Sequence, residues 1–287
     1  MVRFLAVSIL VIAIFTGCGK TNAVKIGHSG GYLSAAVFAA QDNIDADIQF
    51  FRSTADIGYS LLIGALDAGF MDTDRLAAFS QLDGFERLTV VGKITYPYGS
   101  TVVLRKGLSN RLNELSGLTI AASAPNCKLL EAFIADAERL GVNLSDIKLQ
   151  YIAFDAMLPA LEAGVIDAAI IRGSSSVFAL HEGHTILYQN WDVEPGDECC
   201  PAIIDQAVLV LLAQRNKLEF VQPFVDALVN AQKLSPDELR RAVANNTVIP
   251  FDVLQGQPVP EFSLADDELT EIFIEASEEH HGDEHDD

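Results

Sequence analysis

The sequence predicts an α/β fold of two similar three-layer lobes with mainly parallel sheets and a ligand cleft between them. Three observations carry this expectation. The 287 residues suffice for two lobes of about 100–150 residues each. Strand and helix patterns alternate along the chain, as parallel sheets with right-handed crossovers require. The chain also repeats itself: Ala65-Leu66-Asp67-Ala68-Gly69-Phe70-Met71-Asp72 recurs 95 residues later as Ala160-Leu161-Glu162-Ala163-Gly164-Val165-Ile166-Asp167.

Each copy reads strand, helix, strand, helix, strand. The first comprises 24–28, 31–41, 46–51, 55–68 and 70–72; the second comprises 118–122, 127–140, 147–152, 156–163 and 166–171. In both, a glycine (Gly69, Gly164) is expected to cap the second helix before a strand that starts at aspartate. Val90–Ile94 finishes the first copy and Thr101–Arg105 leads into the second, with Tyr96-Pro97-Tyr98-Gly99 between them as the crossing. The return crossing falls near Trp191–Pro201, and Ala207–Ala213 is a buried strand rejoining lobe one. Pro223 is expected at the first position of a helix over 224–233. Ser235 caps the next helix, to about Asn245, and a last helix is expected over 263–277. The domains are therefore a leader (1–17), lobe one (24–98 plus 200–260), lobe two (99–199), and an acidic helix and tail (261–287).

Residues 1–18 are an address. Arg3, an apolar run from Phe4 to Phe15 and Thr16-Gly17-Cys18 describe a secretory signal, too short for a membrane span of roughly 20 residues. Cysteine after Thr-Gly resembles a bacterial lipobox, which implies a lipid on Cys18. The remaining cysteines are Cys127, Cys199 and Cys200. Three is odd and two are adjacent, which argues against a disulfide scaffold.

Hydrophobic residues make up 49% and charged ones 21%, with net charge −21. This acidic balance excludes nucleic acid, whose phosphates need a basic footprint. The last 27 residues hold twelve acids and no Lys or Arg, so the body itself is only mildly acidic.

Ligands of open α/β sheets bind beyond the carboxyl ends of the strands. In lobe one those loops are His28-Ser29-Gly30-Gly31-Tyr32, Ser53-Thr54 and Asp72-Thr73-Asp74. In lobe two they are Ser123-Ala124-Pro125-Asn126-Cys127, Phe154-Asp155 and Arg172 with three serines behind Gly173. The ligand candidates are Ser29, Gly30, Gly31, Tyr32, Ser53, Thr54, Asp72, Thr73, Ser123, Asn126, Cys127, Asp155 and Arg172. Ser, Thr, Asn and Asp at helix starts are equally ordinary caps, worth about 1 kcal/mol each; as a set on both lobes they suit an anion or polar small molecule. Arg172 can pair with a carboxylate, sulfonate or phosphate, or with a nearby acid such as Asp155.

Catalytic patterns such as G-x-S-x-G, H-E-x-x-H, a phosphate-binding loop and paired C-x-x-C are absent. His181 and His184 are expected in a surface turn. The tail histidines His280, His281 and His285 can at most chelate weakly.

Export, the lipobox-like cysteine, matched lobes and the double crossing together resemble the periplasmic substrate-binding proteins of bacterial ABC importers. The likeness is to their nitrate/sulfonate/taurine class, which includes thiamine-pyrimidine binders. It rests on Lys25–Gln41, 61–72, Leu115–Ala121, 158–171 and Glu219–Ala231, and covers roughly residues 24–235. It implies a type II periplasmic-binding-protein fold and a monomer without cofactor or catalysis. Such a monomer captures a small polar or anionic solute and delivers it to a permease driven by a separate ATPase, outside the cytoplasm and lipid-anchored. This chain departs from the class at Arg172-Gly173, and beyond about Asn245 nothing matches. Alternatives are a metal-capturing binder using His28, Cys127, the vicinal cysteines or the tail, a ligand sensor, and a pyrimidine-synthase-like enzyme on the same fold.

Overall fold

The computed structural model describes residues 23–96, 100–125, 127–190, 207–267, 269–271 and 273. In lobe one, β1 (Val24–His28), α1 (Ala35–Ala40), β2 (Ala46–Phe50), α2 (Thr54–Leu62), β3 (Ala68–Asp72), α3 (Leu76–Phe79) and β4 (Leu88–Thr95) follow in order. In lobe two come β5 (Ser100–Leu104), β6 (Thr119–Ala122), α4 (Lys128–Arg139), β7 (Lys148–Tyr151), α5 (Phe154–Glu162), β8 (Ala168–Arg172), α6 (Gly173–His181) and β9 (Thr185–Gln189). The chain returns through β10 (Ala207–Gln214), α7 (Leu218–Ala231), α8 (Pro236–Asn246), α9 (Phe251–Leu254) and β11 (Glu261–Leu264).

The sheets are ordered β11-β4-β10-β3-β1-β2 and β7-β6-β8-β5-β9. Each keeps a parallel trio, β2-β1-β3 and β7-β6-β8. The strands next to the crossings, β10 and β5, run antiparallel to their neighbours. The sheets are thus mixed rather than mainly parallel, because a strand entering a lobe from the other runs back along the last strand of the trio.

Three layers follow from alternation along strands. In β10, Leu209, Leu211 and Ala213 pack with α1 and α7, while Val210 and Leu212 pack with α2, Leu76 and Phe79. Lobe two has the same plan: Val102, Leu104 and Ile170 face α4, whereas Val103, Ala169 and Ile171 face α5 and α6.

The repeat has a different register from the one the sequence suggests. Gly64 (φ +72°) and Gly164 (φ +69°) are the equivalent left-handed turns, 100 residues apart, and α2 ends at Leu62 rather than at position 68. Gly69 is no cap; it lies inside β3, where a Cβ would come 2.4 Å from Ile57 Cγ2. Its job is to let α2 lie close on the sheet. The true correspondence pairs Asp67 with Asp167. Asp67 Oδ2 accepts from the Lys25 N–H (2.8 Å), and Asp167 Oδ2 from the Thr119 N–H (3.0 Å). Each carboxylate pins the start of its lobe's third strand to that of the first.

Two helices also differ. α7 begins at Leu218, because Val221, Phe224, Val225 and Leu228 share one buried face. Pro223 lies inside it and forfeits one bond, to the Glu219 carbonyl. Residues 261–264 form β11 against β4 instead of helix, with Phe262 turned inward. Helical residues 267, 269–271 and 273 follow, and Leu269 and Phe273 enter the lobe-one core. This segment is therefore part of lobe one and not a separate tail element.

Candidate functional site

The carboxyl ends of β1, β2 and β3 carry His28, Phe50 and Asp72; those of β6, β7 and β8 carry Ala122, Tyr151 and Arg172. After β1 the chain makes a turn that only glycine suits, with Gly30 at φ +69° and Gly31 at φ +68°. His28 anchors it: Gly30 N–H donates to His28 Nδ1 (3.2 Å), and Ser34 Oγ donates to the Gly30 carbonyl (3.0 Å). The imidazole lies between Phe38 and Phe50, edge to face, and is 6% exposed. Burial pushes its pKa down to about 4, so at neutral pH it is uncharged, with its proton on Nε2.

Ser29, half-buried, belongs to this turn, and Tyr32 is buried against Tyr96 with ring centroids 6.0 Å apart. Ser53 caps α2, its Oγ accepting from the Ala55 N–H (3.1 Å), so its side chain serves the helix. Thr54 Oγ1 donates to Asp72 Oδ2 (2.6 Å), which also takes Arg75 Nε (3.2 Å). Thr73 Oγ1 is buried without a hydrogen bond.

In lobe two, Ser123 and Cys127 flank the loop into α4. Cys127 makes no capping bond and packs against the α4 core. Asp155 is in the first turn of α5. Arg172 ends β8 with its guanidinium 4.9 Å above the Phe154 ring, an arrangement that orients the cation. Asn126, Cys18, Tyr98, Trp191, Cys199, Cys200 and the tail histidines lie outside the described residues.

The lobes touch across α6. A Cβ on Gly31 would stand 3.1 Å from Phe178 Cζ, and Val177 is buried in one cluster with Tyr32, Tyr96, Leu239 and Val243 of α8, Leu254 of α9 and Ile249 between those helices. Sequence reasoning passed over Phe50, Phe178 and these helices, since apolar residues at such spacing read as core. It also passed over Ser100, 0% exposed, and Asn190, 5% exposed, at the lobe-two strand ends.

His184 is not in a surface turn. It is buried, accepts from the Lys106 N–H at Nδ1 (3.0 Å), and faces Glu162 Oε1 through Nε2 (2.9 Å). It sits at the lobe-two end away from the cleft. Among the described residues no group of three or more His, Cys, Asp and Glu is placed to hold a metal. No helix among them is long and apolar enough to cross a membrane. A groove of about 840 Å³ lies between Val24, Ile44 and Ala46 and Phe220, Phe224 and Ala227 of α7. It opens at the amino ends of β1 and β2, opposite the cleft.

Two α/β lobes, each with a parallel trio of strands and with the chain passing from one to the other after β4 and back before β10, define the two-lobed binding-protein fold. Solved structures place it there. The periplasmic aliphatic sulphonate binding protein SsuA from Escherichia coli matches with TM-score 0.58 and 17% identity over 91% of this chain and 92% of that one. The zinc-bound ligand binding component of an ABC-type import system from Staphylococcus aureus matches at 0.60 and 15%, over 91% and 92%. The CA3427 product of Candida albicans, described as having the generic periplasmic binding protein fold, matches at 0.53 and 16%, over 93% and 92%. At these identities the likeness establishes the fold. No protein-family model and no curated protein matches the chain.

Proposed function

We propose that this chain is an extracytoplasmic solute-binding protein: it captures a small polar or anionic solute between its lobes and delivers it to the permease of an ATP-driven importer. The observation that carries the reading is Arg172, held over the Phe154 ring at the end of β8. A guanidinium fixed on an aromatic ring at the end of β8 stands in a fold whose neighbours include proteins named as sulfonate binders and import components. Among the described residues, the site holds positioning groups: a neutral histidine, a capped helix start and a hydrogen-bonded Thr54–Asp72–Arg75 set. Binding, not catalysis, is the chemistry these residues support.

Native mass spectrometry of the gently purified mature protein should reveal a co-purifying small molecule. With that solute, Arg172→Ala should weaken binding by about 2–5 kcal/mol, as loss of a desolvated charged partner does. An unchanged affinity with a lowered melting temperature would assign Arg172 to the scaffold and remove the anion from the reading. The leader adds attachment through a lipid on Cys18. Cys18→Ser should then release the processed protein from membranes or leave it unprocessed; cleaved serine variant fractionating like the parent would exclude the anchor.

A further inference from the structure

We propose that in the unprocessed chain the apolar run Phe4–Phe15 folds back into the groove between α7 and the amino ends of β1 and β2, so that the leader is covered by its own protein until it is cut away. The inference rests on reading residues 1–17 as a leader and not on the solute. The groove holds about 840 Å³ and is continuous with the lobe-one core. Val24, Ala40 and Phe224 on its floor belong to that core, and Ala39, Ile44 and Ala227 pack against it half-buried. At its mouth Phe220 is 62% exposed and Leu234 38%. The described residues thus leave an apolar trough that one more apolar element completes.

Three longer stretches lie outside the described residues: 1–22, 191–206 and 274–287. Position and charge single out the first. β1 begins at Val24, itself a groove residue, so the leader is joined to the groove's own edge. The stretch 191–206 leads into β10 at Ala207, which pairs with Thr95 at the carboxyl edge of the sheet, the edge opposite the groove. The tail follows Phe273, which enters the core on the other face of that sheet. Both of these stretches are acidic. Asp45, Glu219 and Asp226 carry exposed carboxylates along the groove and outweigh Lys217, which lies 5.6 Å from the centre of the Phe220 ring. That balance repels an acidic segment and suits Arg3 and Lys20 at the two ends of the leader. The lengths agree too. The run of twelve residues spans about 18 Å as a helix, inside the roughly 21 Å of the 14-residue α7. Residues 16–22 reach up to about 23 Å when extended, enough to bring the run back over α7. An apolar run left in water drives association, so cover from the same chain keeps the precursor monomeric.

Photo-crosslinking tests this in the full-length chain, made without export so that the leader stays attached, with p-benzoylphenylalanine in place of Ile9. Mixing heavy-isotope and unlabelled chains separates links within a chain from links between chains. The links should fall within one chain, on α7 or on residues 39–46. Phe220→Glu, which sets a charge against the docked run, should cut their yield about tenfold. Ile63→Glu, at an exposed position that follows α2 on the other face of the sheet, should leave the yield unchanged. Melting curves show that each variant is folded; if Phe220→Glu is not, Phe220→Ser takes its place, with an expected loss of about threefold. Links between chains would give the groove to a second copy and overturn the inference. So would links on other surfaces, an absence of links, or a yield indifferent to Phe220. An exported chain that keeps residues 1–17 would instead remove the leader reading, which its mass reports independently of the crosslinks.

Discussion

Acidification should destabilise this protein through His28, and the amount can be worked from its surroundings. Its side chain is enclosed by Phe38 and Phe50, and its Nδ1 already accepts from Gly30. The folded chain therefore disfavours the imidazolium, and the pKa falls from 6.5 to about 4. Above pH 6.5 both folded and unfolded chains hold a neutral imidazole, and the group adds nothing to the pH dependence. Below 6.5 the unfolded chain takes up a proton that the folded one refuses, so stability falls as pH drops, by up to 1.4 kcal/mol per unit, until the folded imidazole also protonates near pH 4. The whole window is worth about 3 kcal/mol, a large share of a typical 5–15 kcal/mol. Urea denaturation of parent and His28→Gln at pH 7, 6, 5 and 4 isolates it, because carboxylates contribute equally to both. The glutamine variant should lose less stability between pH 7 and 4, by about 3 kcal/mol. Parallel stability profiles for the two proteins would refute the argument, whatever their offset at pH 7.

Gly30→Ala should cost about 1–2 kcal/mol, since φ +69° is strained for any Cβ; because Phe50 is 64% exposed and free to swing aside, adding Phe50→Ala should recover little, which paired melting curves check. Asp167→Ala should destabilise by about 1–3 kcal/mol by orphaning the Thr119 amide and Arg105, without altering solute affinity. The hydrogen bond from Thr119 and then Arg105 hold that carboxyl below its ordinary range, so its contribution is present near neutrality and lost as pH falls through its folded pKa. A calorimetric affinity change with intact stability would contradict the structural assignment of Asp167.

Much of the architecture was legible because buried strands and amphipathic helices leave strong periods. β10 is a continuous apolar run from Ala207 to Ala213, and Ser235 with Glu238 announces the capping box observed on α8. What misled was local. The matching strings around Gly69 and Gly164 are alike in composition, yet one is a strand and the other a turn; only the left-handed geometry at Gly64 reveals the register. Ser263 and Leu264 read as the start of a helix because a later helical run follows, whereas pairing to β4, a long-range contact, makes them part of a strand. The strand-end rule placed Arg172, Thr54 and the Gly30-Gly31 turn at the strand ends where the structure has them. It could not place Ser100 opposite Arg172, because that depends on a register between strands distant in sequence. Nor could it separate Ser53, a cap, from Thr54, a partner of Asp72.

The cluster that joins Val177 of α6 to Tyr32, Tyr96 and the α8–α9 pair has a mechanical meaning. Tyr96 is the last residue before the chain crosses between lobes, so the apolar packing surrounds the axis about which they would swing. On the proposed solute-binding reading it would act as a fulcrum, a surface the lobes roll on. Residues there would then tune the balance between open and closed forms, and apparent affinity scales with the fraction of molecules in the competent form. Small changes at Val177 or Leu254, neither of which lies at a strand end facing the solute, would therefore raise or lower affinity from a distance. If the chain serves uptake as proposed, this packing would be a dial on it that leaves recognition untouched.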